Sequence, residues 1–389
     1  MTSPEKSFAI RPSGPGPLLF RGPAWRYDFV EPLLEHEDFE PTVVARRKPL
    51  TGRGPGQLVF LKRLYHPEDM RHARAEEEVR LATFLHHPGI ARVYELVEHE
   101  GEPYVVSEYM KGCFLETATE AALLGVGRLS PAFAAYVAAQ VADALHAAHQ
   151  CEDASGRALR VVHRAVSPMR IRLGRDGRVK LYDFGAAWSV LEGRVSTPPK
   201  LLRANVSYSA PEVVSFRAVD GRADLYSLGM VLLETLTGVH PLDPPSVNPP
   251  PGESEEAARY GEGVRTERPT WENVGVLTAR IMRFGPEDVE RVAQGIPEGL
   301  EVIIHKALRA NPDERYQTGA EMREALNTWL RGQGESYGRE RVAAELTAVL
   351  RHKPSPHEAS GFPTERGVLL TPEQAALAED TKRQRSRRR

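Results

Sequence analysis

The spacing of apolar residues separates a strand-rich first part of the chain from a helix-rich second part. Between Trp25 and about Tyr109 the apolar runs are short, as in "QLVFLKRL" and "EPYVVSEYM", and this pattern predicts strands. The stretch "PEDMRHARAEEEVRLATFL" between them has its apolar residues at helical spacing. Residues 26–109 are therefore predicted to form a small β-rich lobe with one helix.

From about Leu115 onward, apolar residues recur three or four positions apart, which predicts helices. These helices are predicted over residues 130–149, 223–238, 298–309 and 318–330. Short strands are predicted among them, at 161–162, 171–173 and 179–182. The two parts together predict an α+β fold with two lobes, in which the larger, α-helical lobe covers residues 110–332.

Several segments differ in composition from these lobes. Residues 1–25 are rich in Pro, Gly and Ser, which predicts a disordered leader. A Pro-rich insertion at about 240–269 interrupts the helical lobe. Residues 333–351 carry an apolar stripe that suits a docked helix. The remainder, 352–389, is a polar tail that ends in "KRQRSRRR".

The composition is that of an ordinary soluble protein, with 41% apolar and 27% charged residues. The formal net charge of −2 gives the whole molecule no bias toward nucleic acid or an anionic membrane. The two cysteines, Cys113 and Cys151, lack metal-ligand spacing and fit a reducing compartment. No apolar run approaches the ~20 residues that span a bilayer. We therefore expect a cytoplasmic protein without a membrane partner.

Several motifs follow one another along the two predicted lobes. They are "LVFLKRL", "EEEVRLATFLHHPGI", "YVVSEYMKG", "YDFG", "YSAPEVV" and "DLYSLGMVLLETLTG". In this order and at this spacing they resemble the eukaryotic-like (Hanks-type) serine/threonine protein kinase domain of bacteria, over about residues 27–332. The resemblance implies the two-lobed kinase fold with a nucleotide cleft between the lobes.

The resemblance also implies roles for individual residues of that cleft. Lys62 takes the position of the lysine that holds the nucleotide phosphates, and Glu78 takes that of its glutamate partner, with Glu77 as the alternative. Asp183 is the aspartate of the D-F-G motif, which holds magnesium in the family. The hinge between the lobes follows Ser107 and comprises Glu108, Tyr109 and Met110. Glu212 and Arg315 take the positions of a structural ion pair.

The catalytic loop departs from the family pattern H-R-D-L-K-P-x-N. Here it is "HRAVSPMR", so Ala165 replaces the catalytic base and Ser167 replaces the phosphate-binding lysine. Arg170 places a positive charge where the family has a metal ligand. We therefore expect no catalytic residue and no metal site, with Asp183 as the one candidate ligand. We expect Arg170 to pair with Asp183 in place of magnesium, because an uncompensated carboxylate in a cleft is unfavourable.

The glycine-rich loop of the family is also replaced. At its position the chain carries Glu35, Glu37, Asp38 and Glu40. A carboxylate about 4 Å from a phosphate oxygen costs roughly 1 kcal/mol in water and roughly 4 kcal/mol in a partly buried cleft. The alternative is that this acidic loop lies elsewhere with its charges in solvent. We therefore expect no cofactor, and ATP with magnesium remains the alternative.

The activation segment departs from the family as well. Asn205 replaces the threonine that helps to dock the peptide substrate, and Ala204 replaces the glycine before it. Ser196 and Thr197 are candidate phosphorylation sites whose phosphate Arg164 could bind; ordinary solvated loop residues are the alternative.

These departures leave two main functions open. The leading hypothesis is a pseudokinase that acts as a binding, scaffolding or regulatory module for a protein partner in bacterial signalling. Its candidate surfaces are the Pro-rich insertion, the acidic loop and the tail. We expect no nucleic-acid partner except through the tail from Lys382 to Arg389, where a solvated terminus is the favoured interpretation. The second hypothesis is a weak ATP-dependent serine/threonine kinase that uses Lys62, Glu78 and Asp183. A small-molecule phosphotransferase is a weaker third, because it also needs the missing base.

Overall fold

The structure is a computed structural model, and it describes residues 18–34, 42–51, 56–63, 68–191, 206–242, 274–334 and 336–351. It confirms the predicted α+β fold with a β-rich N-terminal lobe and a helical C-terminal lobe. No helix within these ranges is long and apolar enough to cross a membrane.

The N-terminal lobe is built on an antiparallel sheet of six strands in the order β1-β2-β3-β4-β6-β5. The strands are β1 (Leu18–Arg21), β2 (Trp25–Leu34), β3 (Thr42–Pro49), β4 (Gln57–Arg63), β5 (Val93–His99) and β6 (Glu102–Glu108). Alternation along β4 sends Val59 and Leu61 to an apolar cluster with Tyr27 on one face of the sheet. Phe60 and Lys62 therefore point to the opposite face, where Phe60 packs with Tyr182 of the helical lobe.

The prediction of a disordered leader is wrong for residues 18–25, where the chain forms β1 and enters β2. Phe20 is 5% exposed, and its ring lies 4.9 Å from that of Tyr27 and 4.8 Å from that of His99. Pairing with β2 and this aromatic packing stabilise a strand that the local composition does not favour. Residues 1–17 lie outside the described ranges.

Helix α1 (Glu68–Ala82) packs against β5 and β6 of the sheet and carries Glu78. It is mostly charged, but Ala75, Glu78 and Leu81 are buried, on the side that faces the sheet and the cleft. Helix α1 thus places the carboxylate of Glu78 in the space between the lobes.

The helical lobe surrounds one buried helix. Its helices are α2 (Leu115–Gly125), α3 (Pro131–His149), α4 (Pro211–Val214), α5 (Arg222–Thr237), α6 (Val274–Arg283), α7 (Pro286–Val292), α8 (Glu298–Ala307), α9 (Gly319–Gly332) and α10 (Arg339–Leu350). Helix α5 is buried along nearly its whole length and packs against α3 and α8. The many alanines of α3 allow α5 and α9 to approach it closely. Ser130 caps α3, because its Oγ accepts a hydrogen bond from the backbone N–H of Phe133.

A small antiparallel sheet carries the cleft side of the helical lobe, in the order β7-β8-β9. Its strands are β7 (Gly112–Phe114), β8 (Ile171–Gly174) and β9 (Val179–Leu181). The strand predicted at 161–162 is reduced to a single bridge between Val162 and Trp188. Pairing of β8 with β9 brings the ends of the catalytic loop and the D-F-G motif together.

The last helix, α10, packs on the helical lobe through Val342, Leu346 and Val349, which are all buried. Its Glu345 accepts hydrogen bonds from the backbone N–H and the hydroxyl of Ser130, both at 2.7 Å, and from the hydroxyl of Tyr337 at 2.7 Å. The helix therefore lies over the N-terminus of α3. Of the Pro-rich insertion only residues 240–242 are described, and the tail 352–389 lies outside the described residues.

Candidate functional site

A lysine of the N-terminal lobe joins the two lobes at the centre of the cleft. Lys62 in β4 donates from Nζ to both carboxylate oxygens of Glu78, at 3.0 and 2.8 Å. The same Nζ donates to Oδ1 of Asp183, in the helical lobe, at 2.6 Å. Glu78 is thus the partner of Lys62, while its neighbour Glu77 lies 3.6 Å from Arg74. The cleft is closed by a direct ionic contact between the lobes.

The second oxygen of Asp183 is bound by Arg170. The Nε–H of Arg170 donates to Oδ2 of Asp183 at 2.8 Å. Burial on its own raises the pKa of Asp183, but the charges of Lys62 and Arg170 outweigh it and hold this pKa well below its ordinary value. Asp183 is therefore an ionised carboxylate whose two oxygens each accept from a cation of the chain itself.

Gly185 lets the backbone lie directly against this ionic network. A Cβ atom at this position would lie 2.7 Å from Oε2 of Glu78 and 3.0 Å from Nζ of Lys62. The preceding Phe184 is buried and packs edge-on against the ring of His163, with ring centres 4.5 Å apart. The D-F-G motif is thus packed into the core of the cleft.

The loop "HRAVSPMR" is held by Asp224 in the first turn of α5. Its carboxylate accepts from the backbone N–H groups of His163 and Arg164, both at 2.8 Å. The buried His163 ring accepts at Nδ1 from the N–H of Ala165, so its proton lies on Nε2, which donates to the carbonyl of Tyr182 at 3.1 Å. These hydrogen bonds fix the path of the loop backbone, and at Ala165 the loop carries only a methyl group.

An arginine that the sequence analysis did not single out lies beneath the hinge. Arg172, in β8, is 3% exposed. Its Nε donates to the carbonyl of Met110 at 2.7 Å, and its Nη2 donates to the carbonyl of Gly112 at 3.0 Å. Its guanidinium carbon lies 4.9 Å from the ring centres of both Phe60 and Phe114. The guanidinium thus contacts the hinge, Phe60 of the N-terminal lobe and Phe114 of the helical lobe.

The other hinge residues also make contacts. Oε2 of Glu108 accepts from Nζ of the buried Lys180 at 3.0 Å. The ring of Tyr109 packs edge-on against that of Phe60, with ring centres 5.2 Å apart. The hinge is thus tied by charge and by aromatic packing to both lobes.

Glu212 and Arg315 form a buried ion pair away from the cleft. Nη1 and Nη2 of Arg315 donate to the two carboxylate oxygens of Glu212, at 2.6 and 2.8 Å. Arg315 also donates to the backbone carbonyls of Arg309 and Ala310. The pair links the start of α4 to the segment before α9.

Comparisons with known proteins agree with this architecture. A family model described as protein kinase domain matches residues 50–329. The chain belongs to the protein kinase family. The serine/threonine-protein kinase PknB of Mycolicibacterium smegmatis is 31% identical over 287 residues, which cover 72% of this chain and 40% of that kinase. The tyrosine-protein kinase MasK of Myxococcus xanthus is 30% identical over 336 residues, which cover 85% of this chain and 46% of that kinase.

The serine/threonine-protein kinase PknJ of Mycobacterium bovis is similar as well, at 30% identity over 295 residues, which cover 75% of this chain and 43% of that kinase. The chain thus spans less than half the length of these kinases. Their names include both serine/threonine and tyrosine kinases, and the similarity supports a bacterial kinase domain.

Protein kinases bind ATP together with magnesium ions, and this cleft fits magnesium poorly. Within the described ranges, no group of three His, Cys, Asp or Glu side chains lies close enough to hold a metal ion. Magnesium needs one or two carboxylates besides phosphate oxygens and water. The one candidate, Asp183, already accepts from Lys62 and Arg170. A metal ion would have to displace both cations or share the carboxylate with them.

Two further polar atoms of the catalytic loop distinguish it from the loop of an active kinase. Oγ of Ser167 and Nη1 of Arg170 are buried and have no hydrogen-bond partner in the part of the chain that the structure describes. Ser167 stands at the position of the phosphate-binding lysine and is 1% exposed. Its hydroxyl cannot reach over the distance that a lysine side chain covers.

Several residues of the sequence analysis lie outside the described ranges. They are the acidic-loop residues Glu35, Glu37, Asp38 and Glu40, and the activation-segment residues Ser196, Thr197, Ala204 and Asn205. The predictions for these residues stay predictions. Arg164, a candidate to bind a phosphate on that segment, donates to the carbonyl of Ala186 at 2.8 Å.

A signal for Arg172 and Phe60 was present in the sequence. In "IRLG" an arginine stands among apolar residues of a short strand, and in "VFLK" a phenylalanine stands where kinases have the alanine of V-A-I-K. Each departure adds a large side chain to a strand that faces the cleft. The family pattern assigns chemistry to the positions that differ in the catalytic loop, whereas Phe60 and Arg172 act by filling the cleft and, for Arg172, by binding hinge carbonyls.

Proposed function

We propose that this chain is a pseudokinase, a protein kinase domain that acts in the cytoplasm as a binding or regulatory module and does not transfer phosphate. One observation carries the proposal: the Nε–H of Arg170 binds Oδ2 of Asp183 at the position where a kinase holds magnesium. The guanidinium supplies a fixed positive charge there, and no ion needs to be recruited.

The absence of a base at Ala165 supports the same proposal. A kinase loop needs a carboxylate within hydrogen-bond reach of the substrate hydroxyl to accept its proton. Ala165 has none, and the Asp224 and His163 contacts hold the loop backbone so that a methyl group stands at the position of the base. Proton transfer therefore lacks its acceptor even if a nucleotide enters.

The conformation of the cleft supports a role in binding a protein partner. The Lys62–Glu78 and Lys62–Asp183 contacts keep α1 turned toward the cleft and the lobes together. In an active kinase the lysine pairs with the same glutamate while the aspartate holds magnesium, whereas here two cations of the chain bind Asp183. A partner protein would then meet one constant surface.

The alternative is a weak ATP-dependent kinase, and a specific observation favours it. The Lys62–Glu78 pair is intact and lies next to Asp183, as in an active kinase. If the phosphates of a nucleotide took the place of Asp183 as the partner of Lys62, the lysine would already be positioned to bind them.

Thermal melting and phosphate transfer separate the two functions. The whole chain is melted with and without magnesium and ATP, since a ligand at a hundred times its Kd stabilises a protein by about 2.7 kcal/mol. The same samples receive labelled ATP and a general acceptor protein. We expect no magnesium-dependent shift and no label. Phosphate incorporation that disappears in Lys62→Ala would establish the kinase instead, while incorporation that persists in Lys62→Ala would indicate a contaminating kinase.

A further inference from the structure

The cleft has two ends, and the ionic network fills only one of them. Lys62 and the D-F-G motif lie at the end where nucleotide phosphates belong in a kinase. Phe60 stands two residues before Lys62 in β4, on the same face of the strand, and so faces the other end of the cleft. The hinge residues Tyr109 and Met110 border that end. A base attached to phosphates at Lys62 would have to extend toward the hinge.

That end of the cleft is occupied by the side chain of Arg172. The guanidinium lies between the rings of Phe60 and Phe114, with the ring of Tyr109 5.6 Å away. Its N–H groups bind the carbonyls of Met110 and Gly112. A flat cation bounded by aromatic faces and held by backbone carbonyls is a stable arrangement, because both kinds of contact favour the charge.

The aromatic residues around the guanidinium leave little space beside it. Phe60 is 2% exposed, and its ring packs edge-on against those of Tyr109 and Tyr182, with ring centres 5.2 and 5.8 Å apart. Phe114 packs edge-on against Tyr182 at 6.5 Å. Burial lowers the pKa of Arg172, but an arginine remains charged at neutral pH. The carbonyl of Met110, which faces the cleft, is therefore permanently engaged.

We propose that Arg172 is an internal ligand, whose guanidinium occupies the place of a purine base and excludes purines from the cleft. The base would need the slot beside Phe60 and Phe114 that the guanidinium fills, and a hydrogen bond to the hinge, and the chain uses both for itself. The proposal rests on the proposed function in that the cleft is the former nucleotide site. It adds that the cleft excludes nucleotides at the position of the purine base, independently of metal and phosphate.

Adenosine, which has no phosphate and binds no magnesium, tests this end of the cleft alone. Its affinity is measured by calorimetry for the unchanged chain and for Arg172→Leu, which removes the guanidinium and leaves an apolar floor. Arg172→Met, with an unbranched apolar side chain, is measured in parallel, and whichever variant melts cooperatively is used. The matched control is Arg47→Leu. Arg47 is also a buried arginine, stacked 4.6 Å from Trp25 and 4.1 Å from Tyr94, but in the sheet outside the cleft.

We expect the folded Arg172 variant to bind adenosine at least about tenfold more tightly than the unchanged chain and Arg47→Leu do. Adding Phe60→Ala to that variant should widen the slot and increase the affinity further. The proposal is overturned if the unchanged chain binds adenosine as well as the variant, or if a folded Arg172 variant gains no affinity. Neither result depends on the proton acceptor that is missing at residue 165. Either result can therefore be obtained while phosphate transfer remains absent.

Discussion

Arg170 donates its Nε–H to Oδ2 of Asp183, while Lys62 donates to Oδ1, so the two oxygens of one carboxylate bind two cations from different lobes. The carboxylate remains charged because these cations outweigh its burial. The arrangement is an ionic bridge of three side chains, all of which belong to the chain itself.

Arg170→Leu should weaken the folded state by about 1.5–3 kcal/mol, the usual contribution of a hydrogen bond to a charged group. The Arg170 side chain is only 13% exposed, so solvent screens little of this interaction. Urea denaturation of both proteins measures the difference. Arg178→Ala is the matched control, because Arg178 also binds an aspartate through Nε, at 2.6 Å, but with half of its side chain exposed. Equal stability of the two variants would contradict a structural role for Arg170.

Arg315→Leu should cost about 3–5 kcal/mol, because it leaves Glu212 charged and without its partner in the core. The side chain of Arg315 is fully buried, and that of Glu212 is 6% exposed. Chemical denaturation is again the measurement. The control, Arg331→Ala, breaks the exposed pair with Glu324 and should produce no measurable change. A small effect of Arg315→Leu would mean that the pair is replaceable.

Gly185→Ala should destabilise the protein by about 1–3 kcal/mol, as overpacked positions do. The added Cβ would meet Oε2 of Glu78 at 2.7 Å, and this buried glutamate can move only by releasing Lys62. Gly332→Ala is the control, since a Cβ at this position, at the end of α9, would meet no atom within 4 Å. If both alanine variants unfold at the same urea concentration, the D-F-G turn has more space than its geometry indicates.

His240 should make the stability depend on pH below neutrality. It is buried beside the ring of Tyr208, and burial lowers its pKa to about 3. The unfolded-state pKa is about 6.5, so the folded chain binds fewer protons. The stability that neutral His240 contributes is complete above about pH 6.5. It is lost as the pH falls toward 3, and the free energy of unfolding then changes by up to about 1.4 kcal/mol per pH unit.

His240→Asn, which keeps a hydrogen-bond acceptor near the N–H of Leu242 but does not titrate, should flatten this slope. Denaturation curves collected between pH 7 and 4 give the comparison. His72→Asn, at a histidine whose side chain is 46% exposed, is the matched control. An unaltered profile for His240→Asn would assign the acid sensitivity to other groups.

The two-lobed fold was predictable because kinase motifs specify both the order of elements and the distances between them. The same spacing placed Arg170 opposite Asp183, and the structure contains that contact. The position of Arg172 was not predictable in this way. Its neighbours in space, the ring of Phe60 and the carbonyl of Met110, come from strand β4 and the hinge segment, and only the assembled lobes show that both contact its guanidinium.

Strand β1 was not predictable for a different reason. The segment before Trp25 is rich in Pro and Gly, so local composition favours disorder. Its order comes from pairing with β2 and from the packing of Phe20 against Tyr27 and His99, which are far along the chain or on another strand. Local propensity is a weak guide where a strand is stabilised mainly by its partners.

The docking of α10 decides how much of the chain must be expressed together. The match to the kinase family ends at residue 329, but Val342, Leu346 and Val349 lie beyond it and are buried against the helical lobe. A recombinant fragment cut at the family boundary would expose that apolar surface and leave Ser130 without Glu345. Such a fragment should tend to aggregate, and a recombinant fragment that keeps this surface covered should extend to Arg351.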